Sequence, residues 1–394
     1  MNTEASPGPI SRLALRLRRI TSSGRYLPEV DGLRFIAVAW VVLLHVQGFV
    51  FEEIRHNHSV AGDFVSWIFF QGHLGVPLFF SISGFILAMP FAEHALKGGN
   101  PVRLKSYFLR RLTRLEPPYI VCMVVLFLLH AIRGQRPLGE LLPHLGASLA
   151  YLHNAIYQEW NFINTVAWSL EVEVQFYLMA PILARVFLLG TFARRASIIG
   201  AILFFAGAEP GLWQAVGVSR PDFWLLGQLH HFLVGFLLAD LYLCPVPVLE
   251  LKERAWDLLG LVAFLAIPAF YIVGTWGKLA FPGAVLVLYL AAFRGGCTRA
   301  ILRQPVIATL GGMCYSIYLV HLPLIYIVLG VTKRLSHSDH HLVNLLVQGT
   351  IVIPIIVLVS STFYVLIERP CMNKNWPWDL ANWFKSRLRP SRPA

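Results

Sequence analysis

The sequence has little charge and few cysteines. Only 14% of its 394 residues are charged, 56% are hydrophobic, and the mean hydropathy is +0.62. A soluble chain of this length needs more charge to cover its surface, so the composition argues against a soluble enzyme. The five cysteines are scattered, without the spacing of metal ligands, so neither a disulfide framework nor a metal site is predicted.

What the sequence has instead is a series of apolar stretches between short polar loops. This pattern predicts an all-α, polytopic membrane protein with about ten transmembrane helices. The expected spans are 35–51, 65–90, 117–131, 168–189, 196–206, 225–243, 257–274, 279–293, 310–330 and 343–367. The fifth is too short to cross alone, and the run 141–152 is expected to form a re-entrant or interfacial helix.

Lysine and arginine are concentrated on one side of the expected membrane. Of the 33, 25 fall in segments on the side of the N-terminus. The positive-inside rule therefore predicts that both termini are cytoplasmic and that the protein lies in the inner (plasma) membrane. The net charge of +12 is then mainly a topology signal, with membrane lipids as partners and no nucleic acid. The expected organisation is a cytoplasmic N-terminal segment (1–30), a single membrane domain (31–370) and a basic cytoplasmic tail (371–394).

Within the N-terminal segment, the stretch Ile10 to Ile20 is expected to form an amphipathic helix on the inner leaflet. The first span follows as "VDGLRFIAVAWVVLLHV", with Asp31 expected as its N-cap. Arg34 and His45 are eleven residues apart, so they share one helix face, with His45 about 16 Å deeper. Histidine is a natural general base near neutral pH, but a histidine bonded to a neighbouring hydroxyl is an equally good interpretation of the spacing.

An arginine pair precedes the third span, in "YFLRRLTRLEPPY". Arg111 and Arg114 share a helix face at spacing i, i+3, which suits bidentate contacts with phosphate. Topological charge with lipid headgroup binding is the alternative. Pro117 and Pro118 are expected to end this helix and to start the next span.

The second span contains the unusual segment "HLGVPLFFSISGFI". Its glycines are expected to let helices approach closely, and Pro77 to interrupt the helical hydrogen bonds. Ser81 and Ser83 are expected either to bond freed backbone groups or to line a cavity. The segment suits the wall of a reaction tunnel better than a lipid-facing surface, although a tight packing face is the alternative.

Acidic and aromatic side chains mark two later spans. Glu171 and Glu173 lie 200° apart on a helix, so only one can face a given cavity. Tyr318 and His321 are neighbours at i, i+3. Glu368, at the end of the last span, is expected to form an ion pair with Arg369.

These segments together resemble the acyltransferase-3 family, the bacterial integral-membrane O-acyltransferases that modify O-antigens, exopolysaccharides, Nod factors and some macrolides. The resemblance extends from about residue 26 to residue 370. Its landmarks follow one another as "VDGLRFIAVAWVVLLH", "GHLGVPLFFSISGFIL", "FLRRLTRLEPPY", "WSLEVEVQFYLMAP", "FLVGFLLA", "YSIYLVHLP" and "IERP".

The resemblance implies that His45 is catalytic and that Arg111 and Arg114 contact acyl-CoA. It selects Glu173 over Glu171, within an element that also includes Trp168 and Ser169. The expected function is transfer of an acyl group, acetyl above all, from cytoplasmic acyl-CoA to a hydroxyl of a glycan, glycolipid or glycosylated natural product. No metal is expected.

The remaining site residues are assigned from their positions. Arg34 is expected to assist donor binding, and His321 to be a second proton-transfer group. Ser81, Ser83, Trp168, Ser169 and Tyr318 are expected to line the tunnel. A proton-coupled transporter is the alternative function, because buried His, Glu and Arg also form proton relays.

Overall fold

The structure is a computed structural model. It describes residues 14–19, 26–54, 64–134, 136–208, 210–215, 220–270, 273–336, 338, 340–373 and 376. All regular secondary structure in these ranges is helical, which confirms the all-α prediction for them. Most of the basic tail lies outside the described residues, and so does the amphipathic helix expected at 10–20 apart from residues 14–19, of which 14–17 form a helical turn.

Seventeen helices follow the helical turn at 14–17 along the described chain. They are α1 (Pro28–Phe49), α2 (Phe64–Phe70), α3 (Gly75–Lys97), α4 (Leu104–Ile132), α5 (Leu138–Leu149), α6 (His153–Tyr157), α7 (Ala167–Leu183), α8 (Thr191–Ala206), α9 (Pro210–Ala215), α10 (Leu225–Leu243), α11 (Glu253–Phe270), α12 (Thr275–Arg294), α13 (Gly296–Leu302), α14 (Pro305–Gly312), α15 (Cys314–Thr332), α16 (His341–Phe363) and α17 (Arg369–Cys371). Short 3₁₀ or π turns extend or join several of them.

Seven segments of the described chain are long and apolar enough to cross a membrane. They are Pro28–Ile54, Ser66–Lys97, Leu104–Ile132, Leu225–Leu243, Thr275–Arg294, Cys314–Leu335 and His341–Cys371. The other three expected spans fall on α7, α8 and α11. Helix α8, with 16 residues, is about 24 Å long, less than the hydrocarbon thickness of a typical bilayer. The count of ten spans therefore remains a prediction.

Glycines allow the backbones of the central helices to touch. A Cβ on Gly84 of α3 would lie 2.1 Å from the carbonyl oxygen of Phe232 on α10. A Cβ on Gly75 would lie 2.4 Å from the carbonyl oxygen of Ala37 on α1. Any larger side chain would push these helices apart, so the expected close approach is confirmed. Pro77 lies in the first turn of α3, directly after the 3₁₀ turn Gln71–Leu74 that separates α2 from α3, so the regular α-helical hydrogen bonds are interrupted beside it, as expected.

Helix α4 continues through the double proline, and the expected helix break is wrong. Pro117 has no N–H to donate to the carbonyl of Thr113, four residues earlier. The indole Nε1 of Trp376 donates to that carbonyl instead, at 3.0 Å. The phenol of Tyr315 also donates, at 2.9 Å, to the carbonyl of Leu115. Groups distant in sequence thus satisfy backbone acceptors beside the prolines.

The start of α1 also differs from the expectation. Leu27 is the N-cap residue and Asp31 lies within the first turn, so Asp31 is not the cap. Its carboxylate is fully buried and forms ion pairs with Arg19 and Arg34. Its two ion pairs decide the role of this aspartate. The spacing of the sequence does not reveal the pair with Arg19, because that residue lies in a preceding segment.

Two further charged groups have partners that the sequence did not suggest. Glu368 is fully buried and accepts hydrogen bonds from the backbone N–H of Ser316, at 3.1 Å, and from its hydroxyl, at 2.5 Å. The expected ion pair with Arg369 is therefore wrong. The guanidinium of Arg369 donates instead to the carbonyl of Arg16, at 2.9 Å.

Candidate active site

A cavity of about 1160 Å³ lies among α1, α3, α4, α7, α10, α12 and α15. Ten of the eleven predicted site residues line it: Arg34, His45, Ser83, Arg111, Arg114, Trp168, Ser169, Glu173, Tyr318 and His321. The exception is Ser81, and here the expectation is corrected. Its hydroxyl is buried between α3 and α10 and donates to the carbonyls of Pro77 and His231, at 3.0 and 2.9 Å. Ser81 thus bonds backbone groups, whereas Ser83 faces the cavity.

The helix directions give the cavity two different ends. Helix α1 runs from Arg34 to His45, and α15 runs the same way from Cys314 to His321, so the two histidines lie at one level and the arginine lies below them. At the end beyond the histidines the lining comes from loops and helix starts, among them Trp160 and Asp222. The cavity therefore joins an arginine end to an aromatic end, with the histidines between them.

Three guanidiniums line the arginine end. Arg34 donates to the buried carboxylate of Asp31 at 2.9 Å. Arg111 lies 5.9 Å from the ring centre of Tyr107 and 5.8 Å from that of Tyr177. The Nε of Arg114 is buried and has no hydrogen-bond partner among the described residues. Besides Asp31, the carboxylates of Glu173 and Glu368 lie close enough to interact with these arginines, Glu173 with Arg34 and Arg111 and Glu368 with Arg114. The three guanidiniums make this end suitable for an anion that carries several negative charges.

The two histidines form a hydrogen-bonded pair. The Nδ1 of His321 lies 3.0 and 2.8 Å from the carbonyl oxygens of Ile317 and Tyr318, so Nδ1 carries the proton and Nε2 is an acceptor. The Nδ1 of His45 lies 2.9 Å from the carbonyl oxygen of Val41 and 3.2 Å from the Nε2 of His321. Both partners accept, so Nδ1 of His45 must also be protonated. The Nε2 lone pair of His45 is left without a partner among the described residues, on the wall of the cavity.

The two glutamates of α7 point in different directions. Glu173 lines the cavity and accepts a short hydrogen bond from the hydroxyl of Ser83 on α3. Glu171 is buried elsewhere and accepts the backbone N–H of Asn154, at 2.8 Å. Glu173 therefore faces the cavity, whereas Glu171 holds the start of α6 against α7, as the 200° separation requires.

A hydrogen-bonded chain links α7 to α15 beside the histidines. The hydroxyls of Ser169 and Tyr318 are 3.1 Å apart, and Tyr318 also donates to the carbonyl of Val166. The indole of Trp168 makes edge contacts with Phe80, at 6.4 Å, and with Trp160, at 5.7 Å. These contacts hold the loop that closes the aromatic end.

The aromatic end contains residues that the sequence analysis missed. The lining there includes Trp160, Asp222, Gln228, His230, His231 and Lys278. The sequence does indicate His230 and His231, because adjacent histidines near the start of an apolar span are unusual. Trp160 and Asp222 carry no such signal, since they lie in loops that only the tertiary structure brings to the cavity. Among the described residues, no cluster of His, Cys, Asp and Glu is arranged to hold a metal ion.

Comparison with known proteins identifies the family of the chain. A family model described as "Acyltransferase domain" matches residues 27–365, which is most of the chain. The chain belongs to the acyltransferase-3 family. The family's match includes every residue that lines the cavity.

The relatives are named as O-acetyltransferases. The O-acetyltransferase OatA of Staphylococcus aureus strain NCTC 8325 is 26% identical over 338 residues, which covers 78% of this chain and 52% of the relative. OatA of strain COL has the same identity and coverage. The chain thus spans about half the length of these curated relatives. No solved structure matches the chain significantly.

Proposed function

We propose that this protein transfers an acetyl group from cytoplasmic acetyl-CoA to a hydroxyl of a glycan, glycolipid or glycosylated natural product. The observation that carries the proposal is the unpartnered Nε2 of His45, held on the cavity wall between the arginine end and the aromatic end. The names of the relatives support O-acetylation. Membership of an acyltransferase family supports this function and gives no support to the transporter alternative.

The arginine end suits the donor. Coenzyme A carries roughly four negative charges on its phosphate groups at neutral pH. Arg111 and Arg114, together with Arg34, would bind those phosphates through charge-assisted hydrogen bonds. His45 lies eleven residues further along α1 than Arg34, or about 16 Å, within the reach of a pantetheine arm. The thioester would then lie beside the histidine pair.

His45 is the general base in this proposal. Its Nε2 takes the proton of the acceptor hydroxyl as that oxygen attacks the thioester carbonyl. The carbon–sulfur bond then breaks, and the departing thiolate receives the proton from the imidazolium. His321 keeps Nδ1 of His45 protonated and so keeps the Nε2 lone pair available.

The aromatic end suits the acceptor. Indole faces such as that of Trp160 pack against the C–H faces of sugar rings, and Asp222 and Gln228 offer hydrogen bonds to hydroxyls. Glu173 would orient the acceptor or balance the charge of the imidazolium, with Ser83 holding its carboxylate. The acceptor would therefore approach His45 from the side opposite the donor.

Labelled acetyl-CoA tests the proposal directly. Membrane vesicles that contain the protein, with their cytoplasmic face outward, should transfer labelled acetyl groups to the glycan fraction of the cell envelope and release CoA thiol in equal amount. Omission of the acceptor separates direct transfer from an acyl-histidine route, because only the latter leaves label on the protein. If the vesicles show no label transfer and the protein does not bind acetyl-CoA, the proposed donor is wrong.

The sidedness of the chain is part of the same proposal. Cysteine-accessibility labelling should find both termini and the 91–116 segment in the cytoplasm, and the 132–167 segment on the opposite side. A cytoplasmic 132–167 segment would remove the proposed route of the acyl group, because donor and acceptor would then enter from the same face.

A further inference from the structure

Residues 14–19, here called the 14–19 segment, pack against the membrane domain. The hydroxyl of Thr309 on α14 donates to the carbonyl of Ala14 at 2.9 Å. Arg369 donates at 2.9 Å to the carbonyl of Arg16. The segment is thereby attached to α14 and α17.

The segment ends in an arginine that reaches the donor end through one carboxylate. Arg19 Nε lies 3.0 Å from one oxygen of Asp31, and an Arg34 nitrogen lies 2.9 Å from the other. The Asp31 side chain is 0% exposed, and those of Arg19 and Arg34 are only 11% and 12% exposed. Arg34 lines the cavity, whereas Arg19 lies behind Asp31, outside the lining.

Charge balance gives Arg19 a role that packing alone does not. A buried carboxylate that faced Arg34 alone would neutralise it and hold it away from an anionic ligand, because Coulomb attraction is strong in a buried site. With Arg19 on the other oxygen, the three groups together keep one net positive charge. Arg114 and Glu368 also interact with Arg19, but they carry opposite charges and leave this balance unchanged. Burial, and after it the neighbouring guanidinium of Arg34, lower the pKa of Arg19 to about 10, which leaves Arg19 charged at neutral pH.

We infer that Arg19 is a positioning residue for the donor site: by sharing Asp31, it keeps the positive charge of Arg34 available to donor phosphates. The inference rests on the proposed function, because it requires a donor that carries phosphate. The inference makes the 14–19 segment a part of the donor site.

The test measures binding of labelled acetyl-CoA to the full-length protein in nanodiscs, together with KM and kcat for transfer. Arg19→Ala should weaken donor binding by about tenfold, a coupling of ordinary size, and change kcat by less than about twofold. Arg19→Lys should retain most of the affinity, because it keeps the charge. Arg16→Ala is the matched control: its side chain is exposed and only its backbone carbonyl is bonded, so its affinity should be unchanged.

A double variant separates charge sharing from mere structure. Removing the charge of Asp31 as well, in Arg19→Ala/Asp31→Asn, should restore affinity toward that of the parent, since Arg34 is then no longer neutralised. A structural role for Arg19 predicts no such rescue. If Arg19→Ala does not fold, the comparison uses Arg19→Gln, which keeps most of the side chain and removes its charge, with and without Asp31→Asn.

The outcomes distinguish this inference from the donor proposal beneath it. Normal affinity in Arg19→Ala, or no rescue in the double variant, overturns the inference if Arg111→Ala weakens binding as expected. If Arg111→Ala and Arg114→Ala also bind acetyl-CoA normally, the donor proposal itself is wrong.

Discussion

Two histidine pairs in this protein have nearly the same internal geometry. His45 and His321 have ring centres 5.0 Å apart and nitrogens 3.2 Å apart. His144 and His153 also have ring centres 5.0 Å apart, with nitrogens at 2.9 Å. The first pair lines the cavity, and the second lies in α5 and α6, outside it.

The two pairs differ in what their outer nitrogens meet. The Nε2 of His45 faces the cavity, where a substrate can reach it. His144 is stacked on Tyr157, with ring centres 3.8 Å apart, and His153 is 0% exposed with its Nδ1 enclosed by protein. A pair of histidines is therefore not a site in itself, because access of one lone pair to a ligand decides whether it can do chemistry.

The largest effect is expected from His45, the member of the cavity pair whose Nε2 has no partner among the described residues. His45→Ala should reduce transfer by about 10²–10⁴-fold, the usual contribution of a general base, and leave acetyl-CoA binding nearly intact. Turnover and binding are measured on the same purified variant. Substantial residual turnover from a well-folded His45→Ala would make the two pairs alike and end the base proposal.

The donor arginines should give the next largest effect. Arg111→Ala and Arg114→Ala should each weaken acetyl-CoA binding by about 10- to 100-fold, since each loses hydrogen bonds to a charged group. Lysine should rescue poorly at either position because it lacks the planar fork. Isothermal titration gives the affinities, and thermal melting checks the fold. Unchanged affinities would mean that the pair serves topology only.

The buried partner in the cavity pair should have a smaller effect. His321→Ala should lower kcat by about tenfold, because His45 Nδ1 loses one of its two acceptors while the carbonyl of Val41 remains. Donor affinity should not change. A loss as large as that of His45→Ala would instead make His321 a direct proton carrier.

The pair of His144 and His153 should make the stability of the protein depend on pH and should leave turnover nearly unchanged. Burial, and after it the charge of His144, lower the pKa of His153 to about 4, below the ordinary value of about 6.5. Between these values the unfolded chain binds more protons, so stability should fall as the pH drops from about 6.5 towards 4. His153→Gln should flatten that fall in melting temperature and change turnover at pH 7 by less than about twofold. The exposed His340→Gln is the control, and an unaltered slope in His153→Gln would contradict the assignment.

The sequence by itself determined what depends on local helical geometry. The apolar runs determined the helices, and the spacing between Arg34 and His45 determined that both face one cavity. The same periodicity separated Glu173 from Glu171. Such features follow from 3.6 residues per turn, which is a property of the backbone and needs no partner.

Only the tertiary structure decided the pairings between distant residues. His45 and His321 are 276 positions apart, and nothing local encodes their contact. Helix α4 passes through Pro117 where Trp376 bonds the freed carbonyl, and Asp31 pairs with Arg19 from a preceding segment. In each case the chemistry of one residue depends on a group that packing brings to it, and a periodic pattern contains no information about that group.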